Sequence, residues 1–375
     1  MPPIILTQID LNNKKQVRQF VRFPFELYRG CKQWVPPLLS DAYSGLNPQK
    51  HPYFQHSQAV FFLASRGEQV VGRITAMHNH RYVDYTGNPK AFFGFFDCAD
   101  DSEACNALVE AVASWGRQQG LQELIGPRTL SMADSTGVLV KGFEHRAALN
   151  VPYNYSYYDT LLTGAGFTKE SDTLSGYLPG SYRLEPRVRR IAERVRERRG
   201  LSIKTFQSKA EMRQYIGQVA AVILDSFRDN HEFFPLTDEE IQTMGESIIT
   251  IADPRLIKLV MHGDEVVGFV ISYHDVGPAL QKSGGKLFPL GWLYVLREQR
   301  RAEWVNINGL GLLEGHRGVG ADALLFSQLE DTIVEFGFKH ADLVAIHEHN
   351  IASRGDMEAL GVDWYKAHRN YTMPL

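Results

Sequence analysis

A glycine-rich run in the last quarter of the sequence has the clearest chemical potential. It reads LGLLEGHRGVGADALL, residues 310–325. This pattern predicts a strand, a tight turn at Arg317–Gly320 and then a helix. Glycines let the backbone come close to a ligand, and the unpaired N–H groups at a helix start favour phosphate. Considered alone, the loop is explained equally well as a plain connection between a strand and a helix.

Titratable side chains lie on both sides of this loop in the sequence. Glu314 and His316 precede its glycines, and His347 follows in the next predicted strand. An amine attacks only when neutral, and imidazole titrates near neutral pH, so His347 is the preferred candidate for the general base. A surface histidine without a catalytic role is the alternative. The runs HNH at His78 and HEHN at His347 lack the helical spacing and third ligand of a zinc site, so no metal is expected.

A repeated pattern indicates which elements position these residues. GEQVVGRITAMHNH begins at Gly67, and GDEVVGFVISYHDV begins at Gly263, 196 residues later. Asn154 and Asn350 have the same separation. Matching segments in one order indicate two copies of one fold. Strands and helices alternate and include an antiparallel hairpin, so a mixed α/β class is predicted.

Helix starts in the second copy are indicated by two capping-box sequences. SKAE at Ser208–Glu211 predicts an amphipathic helix that continues through Arg228. TDEE at Thr237–Glu240 predicts the start of another helix.

An arginine-rich segment, residues 183–200, separates the two copies. Pro186 suits a first helical turn and the final glycine suits a helix end, so a helix is predicted. Val188, Ile191 and Val195 form one narrow apolar stripe, and eight arginines cover the rest. We favour a solvated connecting helix over a patch for phosphates or lipid headgroups.

Composition and charge bound the class of protein. The 375-residue chain is 44% hydrophobic and 22% charged, which is sufficient apolar material for two cores in a globular protein. Its net charge of −3 gives no overall attraction to nucleic acid, and its three cysteines fit a reducing compartment. Without a secretory leader or a run of about 18 apolar residues, the expected location is the cytoplasm, with at most a peripheral contact with the inner membrane.

The order of hairpin, strand, Arg-x-x-Gly loop, helix and strand resembles the GNAT superfamily of acyl-CoA N-acyltransferases. In that family the loop wraps the diphosphate of coenzyme A, and N–H groups of the preceding strand contact the thioester carbonyl and the pantetheine arm. The resemblance implies that acyl-CoA is the co-substrate. The residues that it implies for binding acyl-CoA are Leu312, Leu313, Arg317, Gly318, Val319, Gly320 and Asn350.

The sequence departs from the family pattern at several positions. Asp322 stands in place of a small residue, and a carboxylate there weakens diphosphate binding unless it points away or caps the helix. Met357 falls where many relatives have a tyrosine that protonates the thiolate, and Asn306 falls where several have a glutamate base. The first copy has acids, Asp97 to Glu103, in place of the loop, so acyl-CoA is assigned to the second copy.

A closer likeness covers nearly the whole chain. FVRFPFELYRGCKQWVPPLLSD from Phe20, STGVLVKGF from Ser135 and VPYNYSYY from Val151 resemble a bacterial group of tandem GNAT proteins that includes ceramide synthases. The likeness implies a long-chain amino alcohol, such as a sphingoid base, as the acceptor. Tyr153, Tyr157 and Tyr158 are candidates for the acceptor side, and packing explains them equally well.

Together these observations predict two tandem GNAT-like domains with mixed central sheets. The expected boundaries are 1–182 for a first domain without the diphosphate loop, 183–200 for the linker helix and 201–375 for the domain with the acyl-CoA site. The expected activity is acyl-CoA-dependent N-acylation of a small or lipid amine. Two alternatives stay open: a transferase with another donor, such as aminoacyl-tRNA, and a non-catalytic module that binds acyl-CoA or lipid. The oligomeric state is left open.

Overall fold

The computed structural model describes residues 1–131, 136–226, 228, 233–318 and 320–375, and leaves the side chain of Ala352 undescribed. The chain divides into two compact units. The first unit consists of Met1–Leu174, Gly277–Leu296 and Tyr365–Leu375, and the second consists of Ser175–Val276 and Arg297–Trp364. Each unit is therefore built from segments that are separated in the sequence.

The elements up to residue 198 are, in chain order, β1 (Ile4–Gln8), α1 (Lys14–Leu27), α2 (Leu39–Ser44), β2 (Gln58–Arg66), β3 (Gln69–His78), α3 (His80–Thr86), β4 (Lys90–Cys98), α4 (Ser102–Gln118), β5 (Glu123–Arg128), β6 (Val138–Lys141), α5 (Tyr158–Gly164), β7 (Thr168–Pro179) and α6 (Pro186–Arg198). The elements that follow are β8 (Leu201–Thr205), α7 (Lys209–Arg213), α8 (Ile216–Ser226), α9 (Asp238–Ile251), β9 (Ile257–His262), β10 (Glu265–His274), α10 (Gly277–Ser283), α11 (Gly291–Gln299), β11 (Trp304–Leu312), α12 (Ala321–Phe336), β12 (His340–His347), α13 (Ile351–Ala359) and β13 (Asp363–Pro374).

The central sheet of each unit mixes antiparallel and parallel strands. In the first unit β1, β2, β3 and β4 pair antiparallel in sequence order, β5 joins β4 in parallel, and β13 pairs antiparallel with β5. In the second unit β8, β9, β10 and β11 pair antiparallel, and β12 joins β11 in parallel. The predicted mixed α/β class is confirmed.

Both copies of the repeated sequence form antiparallel hairpins with the same bulge. In the first hairpin Ala64 pairs with Gly72 and Ser65 pairs with Val70, so that Val71 is the extra residue. In the second hairpin Val260 pairs with Gly268 and Met261 with Val266, so that the extra residue is Val267. The two bulges are 196 residues apart, which is the offset of the sequence repeat. A bulge is a specific backbone feature, so its recurrence supports two copies of one fold.

One predicted helix of the second copy is divided in two. The hydroxyl of Ser208 accepts a hydrogen bond from the N–H of Glu211, as in a capping box. However, the carboxylate of Glu211 binds the N–H of Gln207 and the ammonium of Lys204. The helix ends at Arg213, and a second helix begins at Ile216. The prediction of one helix through Arg228 is therefore wrong, whereas the full capping box predicted at Thr237 is confirmed.

The arginine-rich segment forms helix α6, and its apolar stripe packs within the second unit. Ala192 and Val195 are buried, and Val188 and Ile191 contact the same hydrophobic core. Most of its arginines are exposed, and Arg189 binds Glu330 and Asp331 of α12. The helix therefore covers part of the core of the second unit.

Candidate active site

The two central strands of the second unit separate near their carboxyl ends. Strands β11 and β12 pair from Trp304–His340 as far as Ile307–Leu343, although both strands continue beyond that point. Ala345 adopts a positive φ of 55°, and its N–H donates to the hydroxyl of Ser175 at 3.2 Å. On the other side of β11, Asn308 is an extra residue that bulges from the pairing with β10. These two irregularities open the sheet between residues 308–312 and 344–347.

Three polar side chains are buried beside this opening. Asn306 of β11 is directly opposite Tyr273 of β10 and directly opposite Asp342 of β12. Directly opposite residues project from the same face of a sheet. Asn306 and Asp342 are each 2% exposed. Burial raises the pKa of Tyr273 well above its ordinary value, so its hydroxyl stays protonated.

An apolar groove lies over the same face of this sheet. It lies between α7, α8, α9 and the sheet, and its cavity volume is about 50 Å³. Ile271 is part of the floor of the groove. It lies two residues before Tyr273 on β10 and therefore projects from the same face of the sheet. The groove side chains on α8 and α9 that are only half-buried are Val219, Ile223, Ile241, Met244 and Ile248. The lining is apolar, as a hydrocarbon chain requires, and a long chain enters only if these half-buried side chains move apart.

Two residues of the glycine loop, Arg317 and Gly318, have hydrogen-bond partners within the protein. The guanidinium of Arg317 donates to the carbonyl of Leu312 at 3.1 Å and to that of Ser226 at 3.3 Å. The N–H of Gly318 donates to the carboxylate of Asp322 at 3.2 Å. A ligand diphosphate would have to displace this carboxylate in order to use the N–H of Gly318.

Gly320 is required by packing against the linker helix. It caps α12 with a positive φ of 93°, and a Cβ atom at this position would lie 2.6 Å from Val195 Cγ2 and 2.9 Å from Ile191 Cγ2. The glycine-rich sequence predicts the close approach of a ligand. At Gly320 the close neighbour is helix α6 instead.

The corresponding helix start in the first unit also holds an internal carboxylate. Asp101 caps α4 by accepting from the N–H of Ala104 at 3.1 Å. Arg66 donates to both carboxylate oxygens of Asp101 and also binds Glu103 at 2.8 Å. Two of the acids that stand in place of the loop, Asp101 and Glu103, thus form an ion-pair cluster with Arg66, whereas Asp97 pairs with Arg73.

Other residues predicted to bind acyl-CoA make internal bonds as well. The N–H of Leu313 donates to the carbonyl of Val267 at 2.9 Å, so a ligand finds this donor already engaged. The side chain of Asn350 caps α13 by accepting from the N–H of Ser353 at 3.0 Å. Val319 lies outside the described residues. Asn154, which has the repeat offset from Asn350, instead binds both backbone polar groups of Leu139.

The three predicted catalytic residues lie at the carboxyl ends of the separated strands. Glu314 and His316 form a 3₁₀ turn after β11, where the N–H of Glu314 donates to Asp225 at 2.9 Å. The Nδ1 atom of His316 is buried, and no partner for it lies in the described part of the chain. His347 ends β12, and its Nδ1 accepts from the N–H of His349 at 3.3 Å.

The three tyrosines predicted for the acceptor side belong to the first unit. Tyr153 donates to the carbonyl of Phe143 at 3.0 Å, and Tyr157 donates to that of Cys98 at 2.9 Å. Tyr158 is fully buried in the core and shares a hydrogen bond of 2.8 Å with the hydroxyl of Tyr28. All three hydroxyls therefore have partners within this unit, which fits the packing alternative.

Two features of this site are absent from the sequence predictions. Asp342 interrupts the apolar strand HADLVAIH, and a carboxylate in an otherwise apolar buried strand is a detectable signal. The groove is harder to predict from the sequence, because its isoleucines and methionines on α8 and α9 look like ordinary core residues. Among the described residues, no group of three His, Cys, Asp or Glu side chains is placed to hold a metal ion.

The second unit combines a hairpin, a bulged central strand, parallel strands that separate and a glycine loop that opens a helix. The first unit has the same bulged hairpin and a parallel pair of central strands. The chain has the tandem GNAT acyltransferase fold. A solved tandem GNAT protein from the clavulanic acid biosynthesis pathway matches it with a TM-score of 0.56 at 13% identity, covering 99% of this chain and 98% of that one. This match confirms the predicted fold class.

Two curated proteins are similar in sequence over nearly the full chain. The bacterial ceramide synthase of Caulobacter vibrioides (strain NA1000 / CB15N) is 26% identical over 382 residues, covering 99% of this chain and 98% of that protein. Protein YghO of Escherichia coli (strain K12) is 25% identical over 370 residues, covering 96% of this chain and 93% of that protein. No family model matches the chain. The predicted resemblance to the ceramide synthase group is confirmed.

Proposed function

We propose that this protein is an N-acyltransferase that transfers a long-chain acyl group from acyl-CoA to the amine of a sphingoid base. The observation that carries the proposal is the apolar groove on the same sheet face as Asn306 and Asp342, beside the opening between β11 and β12. A hydrocarbon chain in the groove would bring its polar end toward Asp342, a buried carboxyl group that can exchange a proton. The fold and the named ceramide synthase relative support the same reaction class.

The reaction requires one proton transfer from the attacking amine. The neutral nitrogen forms a bond to the thioester carbonyl carbon, the carbon–sulfur bond breaks, and the thiolate leaves. Asp342 is the preferred proton acceptor because it is a carboxylate next to the point where the strands part. His347, Glu314 and His316 at the strand ends are the other candidates. Met357 is buried and has no proton to give, so in this proposal the thiolate leaves as an anion.

Within this proposal the second unit carries the donor site. Leu312, Leu313, Arg317, Gly318, Val319, Gly320 and Asn350 stay the proposed contacts of the coenzyme A portion, and Tyr153, Tyr157 and Tyr158 those of the acceptor. Diphosphate binding at the loop requires the carboxylate of Asp322 to leave the N–H of Gly318. We further propose that the reaction takes place in the cytoplasm.

A second candidate is favoured by the bond between Gly318 and Asp322. A transferase whose acyl donor lacks a diphosphate at this position would leave the loop as described. Its groove and buried polar residues would serve the same acyl transfer from another activated donor.

Calorimetry and a product assay test the proposal together. We expect palmitoyl-CoA to bind, and we expect mass spectrometry to detect N-palmitoyl sphinganine when sphinganine is added. Product formation should be lost in Asp342→Asn and kept in Asp363→Asn, an exposed carboxylate at the start of β13. If neither coenzyme A nor palmitoyl-CoA binds, the donor assignment is wrong. If palmitoyl-CoA binds and no amine is acylated, the protein is a binding module.

A further inference from the structure

Helix α11 and the turn before it present apolar side chains to solvent. The exposed members, which we call the apolar patch, are Phe288, Leu290, Trp292, Leu293 and Leu296. Phe288 is 82% exposed and Trp292 is 44% exposed. In contrast, Gly291 and Glu298 are the buried positions of the helix. The helix thus turns its apolar side away from the protein, the reverse of an ordinary surface helix.

The charged residues of the segment that carries the apolar patch are almost all basic. Lys282, Lys286, Arg297 and Arg300 are exposed on its borders. Glu298 is the one acid in the sequence between residues 277 and 301, all of which are described. It is buried, and Arg301 binds its carboxylate at 2.8 Å. A surface of this kind attracts an anionic partner.

Both N–H groups of Trp292 in the apolar patch donate hydrogen bonds within the same segment of the chain. The indole N–H of Trp292 donates to the carbonyl of Pro289 at 3.0 Å, and its backbone N–H donates to Leu287 at 2.9 Å. The N–H of Leu293 donates to the carbonyl of Leu290 at 3.1 Å. These residues can therefore leave water without carrying unpaired donors into an apolar phase.

The segment that carries the apolar patch is fixed to the first unit. The side-chain amide of Gln281 donates to the carbonyls of Lys32 and Trp34, both at 2.8 Å. The N–H of Leu39 donates to the carbonyl of Gly285 at 2.9 Å. A surface that is fixed in advance loses little conformational entropy when it docks.

We propose that the apolar patch is a docking surface for an anionic lipid bilayer. Its aromatic and aliphatic side chains enter the boundary between headgroups and acyl chains, and the bordering lysines and arginines contact lipid phosphates. A second copy of the chain is a poorer partner, since a two-fold contact would bring the same cations of both copies together. The inference does not depend on the proposed acyl transfer, because it rests on a different segment.

Co-sedimentation with vesicles tests this proposal on the full chain. We expect binding to vesicles of phosphatidylethanolamine and phosphatidylglycerol, and little binding to pure phosphatidylcholine vesicles. The double variant Leu293→Ser, Leu296→Ser should lower the partition coefficient on the order of tenfold, and Arg297→Gln with Arg300→Gln should lower it by a similar factor. Lipids with brominated acyl chains should quench the emission of Trp292, as judged against Trp292→Phe.

Matched controls separate this surface from others on the protein. Tyr85→Ser removes an aromatic side chain with 55% exposure elsewhere on the first unit and should leave binding unchanged. Arg187→Gln with Arg190→Gln tests the arginine-rich helix α6 and should have little effect. The proposal is overturned if the α6 variant abolishes binding while the patch variants bind normally, or if the wild type binds no anionic vesicles. A dimer in solution that the Leu293, Leu296 variant converts to a monomer would also overturn it.

Discussion

The backbone N–H of Gly318 donates a hydrogen bond to the carboxylate of Asp322 across 3.2 Å. The carboxylate thereby occupies a donor that the glycine loop of a GNAT protein would offer to a diphosphate. Burial raises the pKa of Asp356, and the negative charge of Asp322 raises it further. Two carboxylates near the loop therefore oppose an incoming anion.

Replacement of Asp322 should accordingly strengthen coenzyme A binding if the diphosphate occupies the loop. We expect Asp322→Asn to lower the Kd for coenzyme A about fivefold, because removing one like charge near a surface site gains about 1 kcal/mol. Calorimetry measures this change. Asp264→Asn, in the exposed hairpin turn, is the control and should leave the Kd unchanged. An unchanged or weaker affinity in Asp322→Asn would favour a donor without a diphosphate at the loop.

Asp342 should be required for catalysis more than for folding. We expect Asp342→Asn to lower kcat roughly 10²- to 10⁴-fold, as for the loss of a general base, while urea unfolding changes little because the amide keeps the shape of the side chain. The matched comparison is His347→Gln. A large loss in His347→Gln, together with normal turnover in Asp342→Asn, would assign the base to the histidine.

Narrowing the apolar groove should change the preference for chain length. Met244→Trp places a bulky indole ring among the half-buried residues of the groove, which leaves less room for an acyl chain. Displacing two methylenes of a bound chain costs about 1.6 kcal/mol, so kcat/KM for palmitoyl-CoA should fall about tenfold. Activity with a short-chain acyl-CoA should be retained. Val334→Trp, on an exposed position of α12, should alter neither substrate. Equal losses for short and long chains would show that the groove does not hold the acyl chain.

Gly320 should tolerate no side chain. Gly320→Ala forces a Cβ atom to within 2.6 Å of Val195 at a φ of 93°, and we expect a loss of about 1–3 kcal/mol in the free energy of unfolding. Urea denaturation measures the loss. Gly315→Ala in the same loop meets nothing within 4 Å and should change stability by less than about 0.5 kcal/mol. If Gly320→Ala leaves the free energy of unfolding unchanged, α6 does not pack closely against the loop.

His368 should make the protein less stable in mild acid. Burial lowers its pKa to about 4, and its Nε2 lies 3.0 Å from the carbonyl of Pro152. The unfolded side chain titrates near 6.5, so below that pH the unfolded state binds a proton that the folded state excludes. Stability from this group falls as the pH drops, by about 2 kcal/mol between pH 7 and pH 5.

Unfolding in urea across this pH range measures the effect. His368→Gln should remove this part of the pH dependence, whereas the exposed His262→Gln should leave it intact. Parallel profiles for the wild type and His368→Gln would contradict the assignment.

The repeated hairpin shows what local sequence can predict. A turn glycine, alternating apolar residues and a constant offset define the hairpins at Gly67 and Gly263, and the bulge recurs because the Val-Val-Gly sequence recurs. These features depend on residues close together in the chain. Secondary structure of this kind is therefore readable before any tertiary contact is known.

The surroundings of the glycine loop show where such prediction stops. The sequence Arg-Gly-Val-Gly is compatible with a ligand or with a packed neighbour, and the neighbour, Val195, is 125 residues away from Gly320. The groove likewise forms only when α8 and α9 meet the sheet. Contacts over such distances depend on the global packing, for which a single sequence carries no periodic signal.

The position of β13 has a consequence for the order in which the protein forms. Tyr371 and Thr372 are hydrogen-bonded neighbours of Gly126 and Ile125, so the sheet of the first unit needs residues translated about 245 positions later. While the ribosome is still extending the nascent polypeptide, β5 has no strand on that edge. The sheet of the first unit, most of which is synthesised first, is thus completed last. A chain that ends before residue 371 would lack the strand that pairs with β5.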